Sequence, residues 1–372
     1  MNSSFVPPSF ARRHLAPVRI AVVLLVATAG SAASAATSAT AATAASAPAT
    51  PATSATATSQ QGFVVGAQHV EEALARGAVL WDVRDAAAYK AGHLPGAVSV
   101  GDVASVLRDP NREDWIAPSQ VAKILGDAGI DLLNKEVVVY SWAGDPNAYY
   151  ALNGIRHFGG KDGKVYHGGF DDWKSTGRPV SQEATVLPKV ALTLTPGSSV
   201  LIGNDEMLSR VKEGHAQIVD ARTPREFSGE DIRAIRGGRI PNAINLPYEQ
   251  NWVDPLAALK LARREVQSRE GMSLKPSEDL KSLYADLDPD KEVVVYCQSG
   301  VRASVTATIL KDLGFKDVKV YEPSWLGYAG RLDAPVEQEV FLNVGALNNR
   351  IGAMQTQMSE MAAELARLKA AR

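Results

Sequence analysis

The architecture of this chain follows from one stretch, residues 293–304, which reads VVVYCQSGVRAS. Its first four residues are apolar and mostly β-branched, which is typical of a buried strand. The strand is predicted to end at Cys297, a tight turn follows at Gly300, and a helix begins after the turn. Apolar residues share one face of that helix: Val305, Ile309, Leu310 and Leu313. Gly314 is placed to end it.

Cys297 would therefore lie between the end of a strand and the start of a helix. Free backbone N–H groups and the positive end of the helix dipole favour a thiolate there and can hold an anion. These N–H groups would come from Gln298, Ser299, Gly300 and Val301. Arg302 adds a fixed positive charge. The alternative is that a lone cysteine is a small apolar core residue, but the strand–loop–helix context favours a functional thiol.

Composition limits the classes of function. The 372 residues are 45% hydrophobic and 22% charged, which is typical of a soluble protein of about two domains plus tails. The formal net charge of -2 gives no argument for nucleic-acid binding. A single cysteine excludes an internal disulfide and metal sites built on several thiolates, and the six histidines form no close pair. We therefore expect no cofactor and no metal.

The first 61 residues are predicted to lie outside the folded part. Residues 1–35 have the pattern of a secretory signal, with arginines before the apolar run 20–29 and a small-residue cleavage site at 33–35. The apolar run is short for a bilayer span, so a retained anchor is the minor alternative. Residues 36–61 are almost all Ala, Thr, Ser and Pro, which predicts a disordered linker. We expect a periplasmic or secreted protein without a membrane anchor, exported by either the general or the twin-arginine route.

The remaining sequence contains an internal repeat, with copies at residues 62–180 and 196–336 and a linker at 181–195. In each copy, short apolar strands alternate with helical patterns in the same order. This predicts an α/β fold class: two tandem domains, each a mainly parallel sheet flanked by helices. The second copy has an insertion, residues 249–275, in which Leu256 to Arg269 can form a polar helix. Its role is open.

Three motifs carry a resemblance to the rhodanese (thiosulfate sulfurtransferase) family. They are Asp-x-Arg (82–84 and 220–222), Gly-x-x-Pro-x-Ala (92–97 and 238–243) and the loop Cys-x-x-Gly-x-Arg, which reads CQSGVR at 297–302. Together they are specific, and they cover nearly all of 62–336. The resemblance implies two rhodanese-like domains, a catalytic Cys297 and an Arg222 that points toward the pocket. An ion pair between Arg222 and Glu226 is the alternative role for that arginine. Asp220 and Glu226 are interpreted as braces for arginine side chains.

The loop length and the first copy narrow the function. The six-residue loop resembles the sulfur-transferring members, because related phosphatases have one more residue between Cys and Arg. In the first copy the loop reads SWAGDP (141–146), so Ser141 replaces the thiol, and Asp145 and Pro146 stand where an anion site would need positive charge. We expect that domain to be catalytically inert and to wall the pocket of the other. A serine hydrolase would need His157 or His167 as a base, and no motif supports it.

The resemblance implies a two-step sulfur transfer. Cys297 would take a sulfane sulfur from thiosulfate as a persulfide and pass it to cyanide or a thiol. Arg302 would orient the sulfonate, and 3-mercaptopyruvate is the alternative donor. A non-enzymatic periplasmic sulfur carrier or docking protein is the alternative function.

The C-terminal tail is predicted to be a coiled-coil helix, residues 341–372. Apolar residues recur there with alternating spacings of three and four: Val344, Leu347, Ile351, Met354, Met358, Met361, Leu365 and Leu368. This a/d pattern indicates a homo-oligomer formed through residues 344–368, of unspecified number. An amphipathic helix packed on the second domain is the alternative.

Overall fold

The computed structural model of this protein describes residues 62–112, 114–197 and 200–371. The predicted signal sequence (1–35) and the predicted linker (36–61) lie outside the described residues. Among the helices in the described ranges, none has both the length and the apolar character needed to cross a bilayer.

The first domain is a five-stranded parallel sheet with helices around it. Its strands are β1 (Val64–Val65), β2 (Val79–Asp82), β3 (Val98–Ser99), β4 (Arg108–Asp109), β5 (Asp114–Trp115), β6 (Val137–Tyr140) and β7 (Gly163–Tyr166). Its helices are α1 (Ala67–Ala75), α2 (Ala86–Ala91), α3 (Val103–Val106), α4 (Pro118–Asp127), α5 (Pro146–His157) and α6 (Gly169–Ser175). The sheet has the order β1-β7-β6-β2-β3, and β4 and β5 form a separate antiparallel pair.

The second domain repeats this topology. Its strands are β8 (Leu201–Ile202), β9 (Gln217–Asp220), β10 (Arg236–Arg239), β11 (Ile244–Asn245), β12 (Val293–Tyr296), β13 (Val318–Tyr321) and β14 (Glu337–Phe341). Its helices are α7 (Asn204–Glu213), α8 (Pro224–Phe227), α9 (Ala257–Ala262), α10 (Ser277–Leu283), α11 (Val301–Asp312) and α12 (Ser324–Gly330). The parallel order β8-β13-β12-β9-β11 matches that of the first sheet element for element. The predicted fold class and duplication are confirmed.

The central strands explain why the catalytic loop lies where it does. β6 and β12 both read VVVY, and every residue in them is at most 1% exposed. Helices cover both faces of a parallel sheet, so a central strand has an apolar run without polar alternation. The loop after each central strand emerges at the carboxyl edge, where open α/β sheets bind ligands.

The two domains share an apolar core and exchange polar contacts. Helices α5 and α11 pack against each other, and one buried cluster contains residues of both domains. Glu322 of the second domain accepts a hydrogen bond from the N–H of Trp115 of the first at 2.9 Å. Arg108 of the first domain donates to the carbonyl oxygen of Ser299, inside the catalytic loop. The first domain therefore contacts the Cys297 loop of the second directly.

The insertion differs from its prediction. The helix predicted from Leu256 to Arg269 is wrong in length, because α9 covers only Ala257–Ala262. Arg264 has a φ of 61°, in the left-handed region that ends a helix. A 3₁₀ turn at Glu270–Met272 follows. Trp252 and Met272 are 1% and 3% exposed, so these two side chains anchor the insertion to the rest of the protein.

The C-terminal region contains a strand and a long helix. β14 pairs antiparallel with β10, so the second domain extends past residue 336, and α13 covers Val344–Ala370. None of the residues of α13 is buried, and its apolar stripe is 42–63% exposed. The alternative of a helix packed on the second domain is therefore wrong for the described residues. Self-association through this stripe stays a prediction.

Candidate active site

Cys297 follows directly after β12, at the carboxyl edge of the second sheet. Its N–H donates to Oγ of Ser324 at 3.1 Å, and its carbonyl oxygen accepts from the N–H of Trp325 at 3.0 Å. Both partners lie in α12, so this helix fixes the backbone of the thiol. The side chain is 1% exposed and is one of the buried residues of the shared apolar core.

The turn after Cys297 requires glycine. Gly300 has a φ of 82°, and a Cβ at this position would lie 2.8 Å from the carbonyl oxygen of Glu322. The carbonyl oxygen of Gly300 accepts from the N–H of Ser304 at 3.1 Å. The N–H groups of the preceding helical residues, Val301 to Ala303, have no acceptor within α11. The catalytic loop thus ends at a helix N-terminus, as the sequence predicts.

Arg302 is turned inward and held by Glu226. Its two terminal nitrogens donate to the carboxylate oxygens at 2.8 and 2.7 Å, and its side chain is 16% exposed. Burial opposes the charge of Arg302, but the bonds to Glu226 and the nearby Cys297 together raise the pKa of the guanidinium above its usual range. Burial also disfavours the Glu226 carboxylate, yet Arg302 and Thr223 lower the pKa of Glu226 to about 2. The predicted bracing role of Glu226 is confirmed.

Arg222 has a structural environment. It pairs with Asp220 at 2.6 Å, donates to the carbonyl oxygen of Gly238 at 2.8 Å and is 1% exposed. Its guanidinium also lies over the ring of Trp325. The alternative ion pair between Arg222 and Glu226 is wrong, and Asp220 is the brace. A substrate contact by Arg222 stays a prediction that none of these contacts supports.

The first domain contains the same arginine arrangement. Arg84 pairs with Asp82 at 2.6 Å and donates to the carbonyl oxygen of Gly92 at 2.7 Å. Because this arrangement of aspartate, arginine and glycine carbonyl is also present in the copy that lacks the thiol, it stabilises the fold of each domain.

The other predicted loop residues take different positions. Nε2 of Gln298 donates to the carbonyl oxygen of Arg233 at 2.8 Å, and its Oε1 is buried without a hydrogen-bond partner among the described residues. Ser299 accepts from Arg108 through its carbonyl oxygen. Val301 is half-buried and opens α11. The structure therefore brings Cys297, Arg302 and the loop backbone together. Arg222 is held separately by Asp220 and the carbonyl oxygen of Gly238.

The first copy lacks the features of a nucleophile. The hydroxyl of Ser141 donates to Asp145 at 2.6 Å, and burial raises the pKa of that carboxyl above its usual value. His157 bonds to the carbonyl oxygen of Gly197. His167 accepts from Tyr149 at 2.7 Å and donates to the carbonyl oxygen of Met272 at 2.8 Å. Among the described residues, neither histidine is hydrogen-bonded to the serine, which argues against hydrolase chemistry here.

The insertion of the second domain covers this inert loop. A Cβ on Gly144 would lie 2.7 Å from Cβ of Met272, and Arg269 pairs with Asp171 at 3.7 Å. With the bond from His167, these contacts place the insertion over the first domain's counterpart of the catalytic loop.

Sequence reasoning missed two residues close to the catalytic loop. Tyr248 and Glu249 lie on the 3₁₀ turn Tyr248–Asn251, which packs against α11. They lie shortly after β11, at the carboxyl edge of the second sheet. That position at the carboxyl edge was the signal that could have identified them. In the described ranges, no group of three or more His, Cys, Asp or Glu side chains is placed to hold a metal ion.

Comparison with known proteins agrees with this geometry. The model of the rhodanese-like domain family matches residues 66–176 and 203–331. A thiosulfate sulfurtransferase of Corynebacterium glutamicum is 34% identical over 268 residues, which cover 68% of this chain and 82% of the relative. The sulfur carrier protein TtuD of Thermus thermophilus is 31% identical over 287 residues, which cover 72% of this chain and 93% of the relative.

A solved structure shares the fold. The anaerobic ergothioneine biosynthesis enzyme of Chlorobium limicola has a TM-score of 0.62 and 20% identity, and the match covers 75% of this chain and 70% of that one. At this identity the likeness describes the fold alone.

Proposed function

Because this chain belongs to the rhodanese-like domain family, we propose that it is a sulfurtransferase that carries the transferred sulfur as a persulfide on Cys297. The observation that carries this proposal is the position of Cys297, between a strand end and a helix N-terminus, with the Arg302 guanidinium turned inward beside it. Relatives at 31–34% identity are named thiosulfate sulfurtransferases, which supports the reaction class.

In the first half-reaction, the Cys297 thiolate attacks the outer sulfur of thiosulfate. A new S–S bond forms at Cys297, the S–S bond of thiosulfate breaks, and sulfite leaves with the electron pair. The helix N-terminus stabilises the negative charge that remains on the outer sulfur of the persulfide. In the second half-reaction, cyanide or a thiol attacks that sulfur and releases the Cys297 thiolate.

Thiosulfate is the donor that the site favours over 3-mercaptopyruvate. A sulfonate dianion gains more than a monocarboxylate from the positive charge of Arg302. Glu226 offsets part of that charge, so steady-state comparison of the two donors tests this choice directly. A higher kcat/KM with 3-mercaptopyruvate would refute it.

The test of the persulfide is intact-protein mass spectrometry. After thiosulfate treatment, the wild type gains about 32 Da, the mass of one sulfur atom, and loses it on addition of cyanide. Cys297→Ser replaces the thiol with a weakly acidic hydroxyl, so we expect no mass gain and no sulfite release, with an unchanged circular dichroism spectrum. Ser141→Ala is the matched control, because Ser141 occupies the same position in the first copy. Wild-type sulfite release by Cys297→Ser would remove that residue from the mechanism.

A sulfur carrier is a second candidate function, because one relative at 31% identity is named a sulfur carrier protein. A carrier keeps its persulfide in the presence of cyanide and small thiols and discharges to a protein partner. An enzyme turns over with the small acceptors. The same mass measurement therefore separates the two.

Assembly and location complete the proposal. The exposed a/d stripe of α13 supports a homo-oligomer that forms through residues 344–368. The pattern of residues 1–35 supports export to the periplasm or the medium. A cytoplasmic location in a fractionation experiment would contradict the second point.

A further inference from the structure

Glu249 is an acidic residue beside the catalytic loop that has no part in the steps above. Its 3₁₀ turn is fixed at the sheet edge that also bears Cys297. The N–H of Tyr248 donates to the carbonyl oxygen of Ala221, just after β9, at 3.1 Å. Asn251 is fully buried and accepts from the hydroxyl of Tyr284 at 2.7 Å. The turn also packs against α11, the helix that begins at the catalytic loop.

The carboxyl group of Glu249 lacks a counter-ion of its own. Its Oε2 atom is buried and has no hydrogen-bond partner among the described residues. Burial raises the pKa of Glu249 above its ordinary value, the positive charge of Arg302 opposes that rise, and the negative charge of Glu226 adds to it. An unpartnered buried polar atom is uncommon in folded proteins and calls for a reason.

Two carboxyl groups thus lie near one guanidinium in different environments. Glu226 takes both N–H bonds of Arg302 and stays ionised, with a pKa of about 2. Glu249 receives no bond from Arg302, and burial raises its pKa above the ordinary value. Environments that push apart the pKa values of two neighbouring acids are typical of sites that divide acid–base work.

The groups around this turn come from both domains. Tyr248 neighbours Glu249 on the turn, and burial raises the pKa of its hydroxyl above the usual range. Arg302, Asp145 of the first domain and Cys297 all act electrostatically on Tyr248. The turn therefore lies near both Cys297 and the first domain.

We propose that Glu249 is the base that takes the proton from a thiol acceptor as the acceptor sulfur attacks the Cys297 persulfide. This inference rests on the proposed persulfide mechanism. The acceptor S–H bond breaks and its proton moves to the Glu249 carboxylate. A bond forms between the acceptor sulfur and the outer persulfide sulfur, and the bond from that sulfur to Sγ of Cys297 breaks. The electron pair stays on Sγ.

The proton then moves from Glu249 to the transferred sulfur. The sum is a thiol plus the anionic enzyme persulfide, giving a product persulfide (R–S–SH) and the Cys297 thiolate, with no external oxidant or reductant. A base is useful here because an ordinary thiol, with a pKa of about 8.5, is mostly protonated at neutral pH. Cyanide attacks as an anion and has no proton to give up.

The test starts from persulfide-loaded enzyme and measures the discharge rate in a single turnover. Wild type and Glu249→Gln react with a series of small thiols of different pKa. For thiols whose pKa lies well above the assay pH, we expect Glu249→Gln to discharge about 10²-fold more slowly, the usual contribution of a general base. For thiols that are already ionised, the difference shrinks toward none. Glu265→Gln, an exposed acid of the same insertion, is the matched control and keeps the wild-type rates.

The pH profile gives a second readout. With a high-pKa thiol, the rate of Glu249→Gln rises about tenfold per pH unit up to the thiol pKa, because only thiolate reacts. The wild-type rate depends less steeply on pH. If Glu249→Gln lowers the discharge rate equally for every thiol, or does not lower it, the proposal is overturned and Glu249 has only a packing role.

Failure of the two proposals can be told apart. If the wild type gains no sulfur mass from thiosulfate, the persulfide mechanism and the role of Glu249 both fail. If it loads and Glu249→Gln discharges all thiols like the wild type, only the role of Glu249 fails. Should Glu249→Gln not fold, Glu249→Asp is measured in its place. Aspartate keeps the carboxyl group on a side chain that is one methylene shorter. We therefore expect a smaller loss of discharge rate, confined to high-pKa thiols. A loss of rate that is independent of the thiol pKa refutes the proposal.

Discussion

Replacing Glu226 with Gln removes the charge that holds Arg302 in the catalytic site. The Glu226 side chain is 1% exposed and accepts two bonds from Arg302 and one from Arg233. Its pKa falls from an ordinary 4.5 to about 2. A shift of about 2.5 units at about 1.36 kcal/mol per unit corresponds to roughly 3 kcal/mol of folding free energy at neutral pH.

The sign of the pH dependence follows from the direction of the shift. A carboxyl with a lowered pKa in the folded state stabilises the protein fully above its unfolded pKa, and the contribution disappears as the pH falls through the folded value. The free energy of unfolding of Glu226→Gln should therefore be about 3 kcal/mol below that of the wild type at pH 7. The difference should shrink as the pH falls below the unfolded pKa and become small near pH 2.

Urea denaturation followed by far-UV circular dichroism at these pH values measures the difference. Glu230→Gln is the control, since Glu230 is an exposed acid whose contact with Arg225 is 3.6 Å long. Its effect should stay within about 0.5 kcal/mol at every pH. A Glu226→Gln difference that is the same at pH 7 and pH 2 would refute the reasoning, because the loss would then come from packing and not from charge.

Two further predictions concern the inert loop and the tail. Gly144→Ala should lower the free energy of unfolding by about 1–3 kcal/mol more than Gly77→Ala in urea denaturation, because both have a positive φ but only Gly144 faces Met272. Equal losses would show that the Met272 contact is unimportant. A chain that ends at Leu342 should have a smaller mass per particle than the full chain in light scattering, because the a/d stripe is removed. Equal particle masses, after allowance for the missing residues, would contradict the coiled-coil assignment.

The fold could be predicted from sequence where local pattern and tertiary environment agree. The VVVY runs of β6 and β12 are buried on both faces, so their composition alone identified them as strands, while their central position came from the structure. Gly300 has the left-handed φ that a tight turn between strand and helix requires, and this made the loop recognisable. Both copies contain the same strands and helices in the same order, so the repeat predicted that the two domains share one topology.

Contacts between distant residues could not be predicted in this way. The pairing of Arg302 with Glu226 joins residues 76 positions apart, and the contact of Arg108 with Ser299 joins residues 191 positions apart. The length of α9 depends on one backbone angle at Arg264, a residue with no intrinsic preference for that conformation. The carboxyl oxygen of Glu249 lacks a hydrogen-bond partner in the described part of the chain because of how distant segments bury it. The neighbouring sequence does not show such burial.

The insertion over residues 142–144 also bears on the history of the duplication. Suppose that drift restored a thiol at position 141 and a cation at 146. The restored nucleophile would still lie under Met272 of the insertion. His167 and Asp171 would still bond to the insertion and hold it in place. Reversion would require the other half of the gene to give up its insertion at the same time.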